Sequence, residues 1–205
     1  MTKDLYIENY CNIRDNAVLL NGSVIHEQKE VDFNAFAKSA YQAFNTDYSK
    51  FFKMDNLSKL TFLAADHLLK QAGHQGEERN IALVLSNRAS SLDTDRKHQQ
   101  TISDEDSYFP SPAVFVYTLP NICMGEISIR HRLYSENAFF VFEKFNAEHL
   151  FDCAERLMLD GKADKVLCGW VDFDHEKYEA FLYVVGKSGT FTHSKDEITR
   201  LYQQR

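Results

Sequence analysis

Apolar and polar residues alternate from the start of the chain, which is the pattern of a half-buried strand. Residues 5–13 read LYIENYCNI and keep this period of two. The stretch VLLNGSVI follows a few residues later and has two short apolar runs. The pattern predicts a first strand with a hairpin after it.

Helical spacing replaces this alternation further along the chain. The segment DFNAFAKSAYQAF predicts a short amphipathic helix. A longer helix is predicted in DNLSKLTFLAADHLLKQAG, with Asp55 as its N-cap and Gly73 at its end. Four of its apolar residues share one face: Leu57, Leu60, Ala64 and Leu68.

Strands and helices then follow one another to the end of the chain. NIALVLS predicts a buried strand, SLDTDRKHQQTI a further helix or loop, and PSPAVFVYTLPNICMGEISIRH two helices that break at Leu119–Pro120. After these come the strand AFFVF, a helix over 147–160 closed by Gly161, the strands KVLCGWVDF and EAFLYVVG, and the terminal helix SKDEITRLYQQR. This order predicts a single α/β domain over residues 1–205. Its sheet is expected to be mixed and mostly parallel, with about five strands, helices on both faces and an antiparallel hairpin at the end.

The helix over 147–160 has two contrasting faces. Its apolar residues follow the i, i+3, i+4, i+7 pattern: Ala147, Leu150, Phe151, Ala154, Leu157 and Met158. The opposite face carries Glu148, His149, Asp152, Glu155 and Arg156. Burial of that charged face without partners costs several kcal/mol per group, so we expect it to meet water or a polar partner.

Composition narrows the function classes. The longest apolar stretches fall far below the roughly 20 residues of a membrane span, and the N-terminus lacks the pattern of a secretory signal. The net charge of −7 argues against nucleic acid as the main partner. Four cysteines without a CxxC pair predict reduced thiols, no metal site and no cofactor in a cytoplasmic protein.

Three stretches resemble the N-terminal half of the β-ketoacyl-acyl-carrier-protein synthases, the thiolase-fold ketosynthases. They are FKMDNLSKLTFLAADHLLKQAG, PSPAVFVYTLPNICMGEISIRH and FNAEHLFDCAERLMLDGKADKVLCGWVD, within residues 50–173. The middle stretch is the most specific, because its length and its proline–asparagine break are unusual. The resemblance implies a layered half of the thiolase fold, similar to short chain-length-factor-like proteins.

The resemblance fails at the positions that carry catalysis. Ketosynthases place a nucleophilic cysteine seventeen residues before the glycine of a Gly-x-Ala-Asp turn, and this count from Gly161 reaches Lys144. An acyl group on a lysine forms a stable amide rather than a labile thioester. The two histidines of the ketosynthase C-terminal half have no counterpart here, and SNRASSLD replaces a glycine-rich turn. The resemblance therefore implies a non-catalytic protein.

Lys144 itself allows three interpretations: a solvated surface residue, an electrostatic site for a phosphate or carboxylate, and a Schiff-base lysine. A Schiff-base lysine needs a depressed pKa, and the neighbouring Glu143 opposes that.

Asp172 and Asp174 near a strand end indicate either a solvated turn or a cation site.

Two further segments are candidate binding surfaces. Phe139, Phe140, Val141 and Phe142 match the strand through which ketosynthases pair across their dimer, and they carry no charge that would discourage edge pairing. A central, buried strand is the alternative.

Arg130, His131 and Arg132 form a basic cluster that indicates either contact with the phosphate of an acyl carrier protein or stabilisation of a helix C-terminus.

These observations predict a non-catalytic, ketosynthase-like auxiliary protein of fatty-acid, polyketide or aryl-polyene-type biosynthesis. Its expected partner is a full-length ketosynthase or a second copy of itself, with acyl carrier protein as a possible further partner. One alternative is an acyl-thioester enzyme with Cys123, Cys153 or Ser135 as its nucleophile. Another is a stand-alone homodimer that binds an acyl group.

Overall fold

Eight strands form one mixed sheet in the computed structural model, which describes residues 4–71, 79–103 and 109–204. The strand order is β3-β2-β1-β7-β6-β4-β5, and β8 pairs with β1. The strands are β1 (Tyr6–Arg14), β2 (Ala17–Leu20), β3 (Ser23–Glu27), β4 (Ile81–Asn87), β5 (Asn137–Val141), β6 (Lys165–Asp174), β7 (Lys177–Gly186) and β8 (Phe191–Thr192).

Helices cover both faces of this sheet. One face packs against α1 (Phe33–Ala43), α2 (Asn56–Gln71) and α5 (Ile122–His131), and the other against α6 (Ala147–Leu159) and α7 (Lys195–Gln203). The remaining helices are α3 (Leu92–Gln100), the short α4 (Pro112–Phe115) and two 3₁₀ turns over Ser49–Lys53 and Val116–Thr118. The result is a three-layer α/β/α arrangement with a core on each side of the sheet.

Local sequence explains where the long helices begin and end. The Asp55 carboxylate accepts a hydrogen bond from the Ser58 amide at 2.9 Å, as predicted for the N-cap of α2. Gly73 lies outside the described residues. Gly161 follows α6 with a φ of +66°, a left-handed conformation that glycine adopts without strain.

The predicted faces of α6 are confirmed. Leu150, Ala154 and Met158 are buried against the sheet, whereas Glu148 and Asp152 are exposed. Lys195 at the start of α7 bridges these two carboxylates, at 2.7 Å from Glu148 and 3.4 Å from Asp152. The charged face of α6 therefore meets water and a polar partner from the same chain.

The α/β class, the mixed sheet and the helices on both faces are confirmed, but the predicted strand number and direction are wrong. The sheet has eight strands rather than about five, and its only parallel pairs among the described strands are β4–β5 and β4–β6. The difference arises because β1–β3 join the same sheet through the long antiparallel pairing of β1 with β7.

No helix in the described part of the chain is both long and apolar enough to cross a lipid bilayer.

Candidate functional site

The carboxyl ends of three parallel strands meet at one edge of the sheet. β4, β5 and β6 all end there, which is where α/β proteins commonly bind ligands. Lys144 lies at this edge, in the bend between β5 and α6 and two residues before the N-cap Asn146. The structure thus places Lys144 at the strand-to-helix junction that the resemblance assigned to a nucleophile.

A pocket of about 430 Å³ opens beside Lys144. Its lining residues come from widely separated parts of the chain: Arg14, Asp15, Arg88, Glu143, Lys144, Phe145, Trp170, Asp172, Lys177, Tyr178, Glu179 and Tyr202. The side chain of Lys144 is exposed and has no hydrogen-bond or ion-pair partner among the residues that the structure describes. This exposure favours the solvated and electrostatic interpretations of Lys144 over the Schiff-base interpretation, in which burial would activate the amine.

One carboxylate organises the wall of this pocket. Glu179 accepts hydrogen bonds from Trp170 Nε1 at 2.8 Å, Tyr202 Oη at 2.9 Å and Arg14 Nε at 3.1 Å. The guanidinium of Arg14 lies 4.5 Å from the centroid of the Tyr202 ring, and Phe145 stacks on that ring at 4.0 Å. Burial, followed by the charge of Glu179, raises the pKa of Tyr202 to about 12, so its hydroxyl remains a donor at neutral pH.

The sequence prediction missed this wall because its residues lie far apart in the chain. Arg14 ends β1, Trp170 is in β6, Glu179 is in β7 and Tyr202 is in α7. The one local signal is the carboxylate of Glu179, which stands immediately before the mostly apolar run AFLYVVG.

Asp172 and Asp174, predicted as a solvated turn or a cation site, are both held by arginines. Asp172 is 8% exposed and accepts hydrogen bonds from the backbone amides of Arg88 and Ala89 at 3.1 and 2.9 Å. Asp174 pairs with Arg96, and this contact lowers the pKa of Asp174. The solvated-turn interpretation is wrong for Asp172, because its carboxylate caps the turn after β4.

The segment AFFVF forms an edge strand, so the alternative of a central, buried strand is wrong. β5 is last in the sheet order and pairs on one side with β4. The Glu136 carbonyl accepts from the Leu83 amide, and the Phe142 amide donates to the Asn87 carbonyl. Since backbone groups alternate in direction along a strand, the amides and carbonyls of Phe139 and Val141 face away from β4.

Side chains of β5 divide between the two faces of the sheet. Phe139 packs against the core beneath α2 and α5, and Phe140 against the core beneath α6. Val141 remains 55% exposed, and the half-buried Phe142 stacks on Phe140 with ring centroids 5.9 Å apart. The phenylalanines anchor β5 in the fold while its outer backbone edge stays open.

The basic cluster at the end of α5 is directed largely into the protein. Arg130 Nε lies 3.5 Å from the carboxylate of Asp66, and His131 Nε2 lies 3.0 Å from it. Lys70 reaches the same carboxylate at 2.7 Å. Arg132 is exposed and has left-handed backbone angles at the C-cap. These contacts give Arg130 and His131 a structural partner in Asp66.

The candidate nucleophiles of the enzymatic alternative have different surroundings. Cys123 is 1% exposed, and burial raises the pKa of its thiol to about 12. The Ser135 hydroxyl is exposed and donates to the Lys162 carbonyl at 3.1 Å. Cys153 is half-buried, and its sulfur lies 3.5 Å from Nε2 of His149.

No protein-family model matches the sequence, and a comparison with curated protein sequences finds no match. Solved structures do match. The ishigamide ketosynthase/chain length factor superposes with a TM-score of 0.64 at 15% identity, over 89% of this chain and 62% of that chain. A ketosynthase (ApeO) in complex with its chain length factor (ApeC) from Xenorhabdus doucetiae gives a TM-score of 0.61 at 14% identity, over 97% of this chain and 90% of that chain.

A third match is a type II polyketide synthase acyl carrier protein in complex with its ketosynthase, AntDE:AntF. It gives a TM-score of 0.63 at 12% identity, over 89% of this chain and 62% of that chain. This chain therefore spans less than two thirds of two of these three matched chains and nearly the whole of the other. The likenesses show that it has the fold of ketosynthases and chain length factors, as the sequence resemblance implied.

Proposed function

We propose that this protein is a non-catalytic, chain-length-factor-like subunit that pairs with a complete ketosynthase in the cytoplasm. The proposal starts from its ketosynthase-like fold, and the open edge of β5 is the observation that carries it. The pathway class is fatty-acid, polyketide or aryl-polyene-type synthesis, as the sequence resemblance implies, and one matched structure is described as a type II polyketide synthase complex.

The β5 edge has the properties of a pairing strand. Phe139 and Val141 direct outward backbone amides and carbonyls that pair with no described strand, and no residue of β5 carries a charge that would oppose another strand. Natural proteins usually protect such an edge with charge, proline or a covering segment. A partner strand beside β5 would complete the backbone hydrogen bonds and extend the sheet across the interface.

The residue at the expected nucleophile position supports a non-catalytic role. Lys144 occupies the junction of β5 and α6, and no thiol lines the adjoining pocket. Transfer of an acyl group to an amine gives an amide, from which the chain could not be passed on. The partner ketosynthase would thus supply the chemistry, and this subunit would help to shape the acyl tunnel.

Contact with acyl carrier protein is a second element of the proposal. Arg132 is the exposed member of the cluster Arg130–Arg132, and its guanidinium suits the phosphate of a phosphopantetheine arm. Arg130 and His131 would hold the end of α5 in place through Asp66 rather than contact the phosphate themselves.

Affinity capture with two matched valine variants tests the pairing. The tagged chain is co-expressed with the ketosynthase from its own genome, and the captured proteins are quantified by mass spectrometry. We expect capture at near-equal amounts and a loss of at least tenfold with Val141→Lys, because lysine on an edge strand opposes pairing. Val24→Lys is the control, since Val24 is 60% exposed on β3 at the opposite edge of the sheet.

Each alternative has a distinct outcome. Equal capture by Val141→Lys and the wild type would remove β5 from the interface. A wild-type chain that captures no ketosynthase would contradict the proposal. If its native mass then equals two copies, and an acyl ligand is retained, the stand-alone acyl-binding homodimer becomes the better account.

A further inference from the structure

A cysteine and a histidine form a close pair on α6. Cys153 and His149 are four residues apart, so their side chains lie on the same side of the helix. The sulfur of Cys153 is 3.5 Å from Nε2 of His149. Phe140 and Phe142 make T-shaped contacts with the imidazole, at centroid distances of 4.3 and 5.0 Å.

Cys153 also lines an apolar groove of about 340 Å³ between α6 and the strands β4 and β5. Leu83, Val84, Ala138 and Leu157 supply its apolar surface. The charged residues at its rim are paired with one another: Arg156 with Asp160 at 3.6 Å, and Lys162 with Glu136 at 3.8 Å. The volume and the apolar lining suit a small hydrophobic group.

The other three cysteines of the chain are fully enclosed. Cys11, Cys123 and Cys168 are each at most 1% exposed, whereas Cys153 is half-buried. Burial, followed by the negative charge of Asp152, raises the pKa of the Cys153 thiol. The thiol is therefore protonated at neutral pH, and its reaction as a nucleophile requires a neighbouring base.

We propose that Cys153 is a thiol acylation site, with His149 as its base and the groove as the pocket for the acyl chain. With its ring proton on Nδ1, His149 accepts the thiol proton at Nε2. The sulfur attacks the carbonyl carbon of an acyl thioester, and the bond from that carbon to the donor sulfur breaks. The departing thiolate takes the proton from His149, and the acyl group remains on Cys153 as a new thioester.

This inference is independent of the proposed subunit role. Cys153 is in the second turn of α6, away from the junction where Lys144 replaces the expected cysteine. Acylation is measured on the chain alone, and ketosynthase pairing by co-capture. A negative result in one of these two assays therefore leaves the proposal tested by the other unaffected.

The test uses octanoyl-N-acetylcysteamine as the acyl donor and intact-protein mass spectrometry as the readout. We expect one octanoyl adduct per chain, mapped to Cys153 and removed by neutral hydroxylamine. Cys153→Ser abolishes the adduct, and His149→Gln slows its formation at least tenfold, in line with the usual contribution of a general base. Circular dichroism melting confirms that each variant is folded.

A groove-filling variant separates the pocket from simple thiol reactivity. Leu157→Trp is expected to slow octanoylation at least tenfold more than it slows acetylation by acetyl-N-acetylcysteamine, because only the longer chain needs the groove. The proposal is overturned if no adduct forms or if adducts persist in Cys153→Ser. Unchanged octanoylation rates in folded His149→Gln or Leu157→Trp overturn it as well.

Discussion

The imidazole of His131 lies 3.0 Å from the carboxylate of Asp66, so the end of α5 is joined to the middle of α2. Asp66 is 3% exposed, and Lys70 and Arg130 reach the same carboxylate. Burial by itself raises the pKa of Asp66, but the contacts with His131 and Lys70 outweigh it and lower the pKa to about 2. This small network joins two helices that pack on the same face of the sheet.

Asp66→Asn is expected to reduce the free energy of unfolding at pH 7 by about 3 kcal/mol, because it leaves the partly buried cations Lys70 and Arg130 without a carboxylate. The folded-state pKa of Asp66 lies below the unfolded value of about 3.9, so its stabilisation is present above pH 4 and lost as pH falls towards 2. Urea unfolding monitored between pH 7 and pH 2 measures both effects. Asp160→Asn, at an exposed pair with Arg156, should change the free energy by less than about 0.5 kcal/mol. Equal stability of the two variants would contradict a structural role for the network.

His193 predicts a separate response at milder pH. It is 7% exposed and stacks on Phe151 at 4.8 Å, and burial lowers its pKa to about 4. Because the unfolded pKa is about 6.5, stability is full above that pH and is lost as pH falls towards 4, by about 2–3 kcal/mol. His193→Phe keeps the ring and removes the titration, so it should flatten the decline between pH 6.5 and 4.5 in urea unfolding. The exposed His175 is the control site, and His175→Phe should retain the wild-type slope.

Glu179 supports the pocket beside Lys144, and its removal should be visible in fluorescence. Glu179→Ala leaves the donors of Trp170, Tyr202 and Arg14 without their acceptor, at an expected cost of about 2 kcal/mol in unfolding free energy. Trp170 is the only tryptophan in the chain, so a shift in its emission reports directly on this wall. Glu143→Ala changes an exposed carboxylate at the same pocket and should leave both emission and stability unaltered. An unshifted emission in Glu179→Ala would show that the wall does not depend on this carboxylate.

Local patterns were sufficient to predict most helices and strands. The cap at Asp55, the turn at Gly161 and the two faces of α6 depend on residues within a few positions of one another. The mostly antiparallel arrangement of the strands depends instead on the pairing of β1 with β7, and no spacing within either strand indicates that pairing.

The candidate site divides in the same way. The position of Lys144 between a strand and a helix follows from local order. The resemblance, not local order, implied that this strand lies at an edge, and the sheet order places it there. The pairing of Glu179 with Arg14 and of Asp66 with His131 joins residues that are distant in the chain. The pairing of Cys153 with His149 does have a local signal, which is their i, i+4 spacing on a helix. The neighbouring Phe140 and the groove are evident only from the structure.

The order of the strands in the sheet differs from the order in which a ribosome makes them. β1 emerges more than a hundred residues before β7, yet the two strands lie side by side near the centre of the sheet. Pairings between distant segments form slowly, because a long loop must close before they contribute. We therefore expect β1 to leave the ribosome paired with β2 on one side only. The docking of this early hairpin against β7 should be the step that limits folding of the new chain.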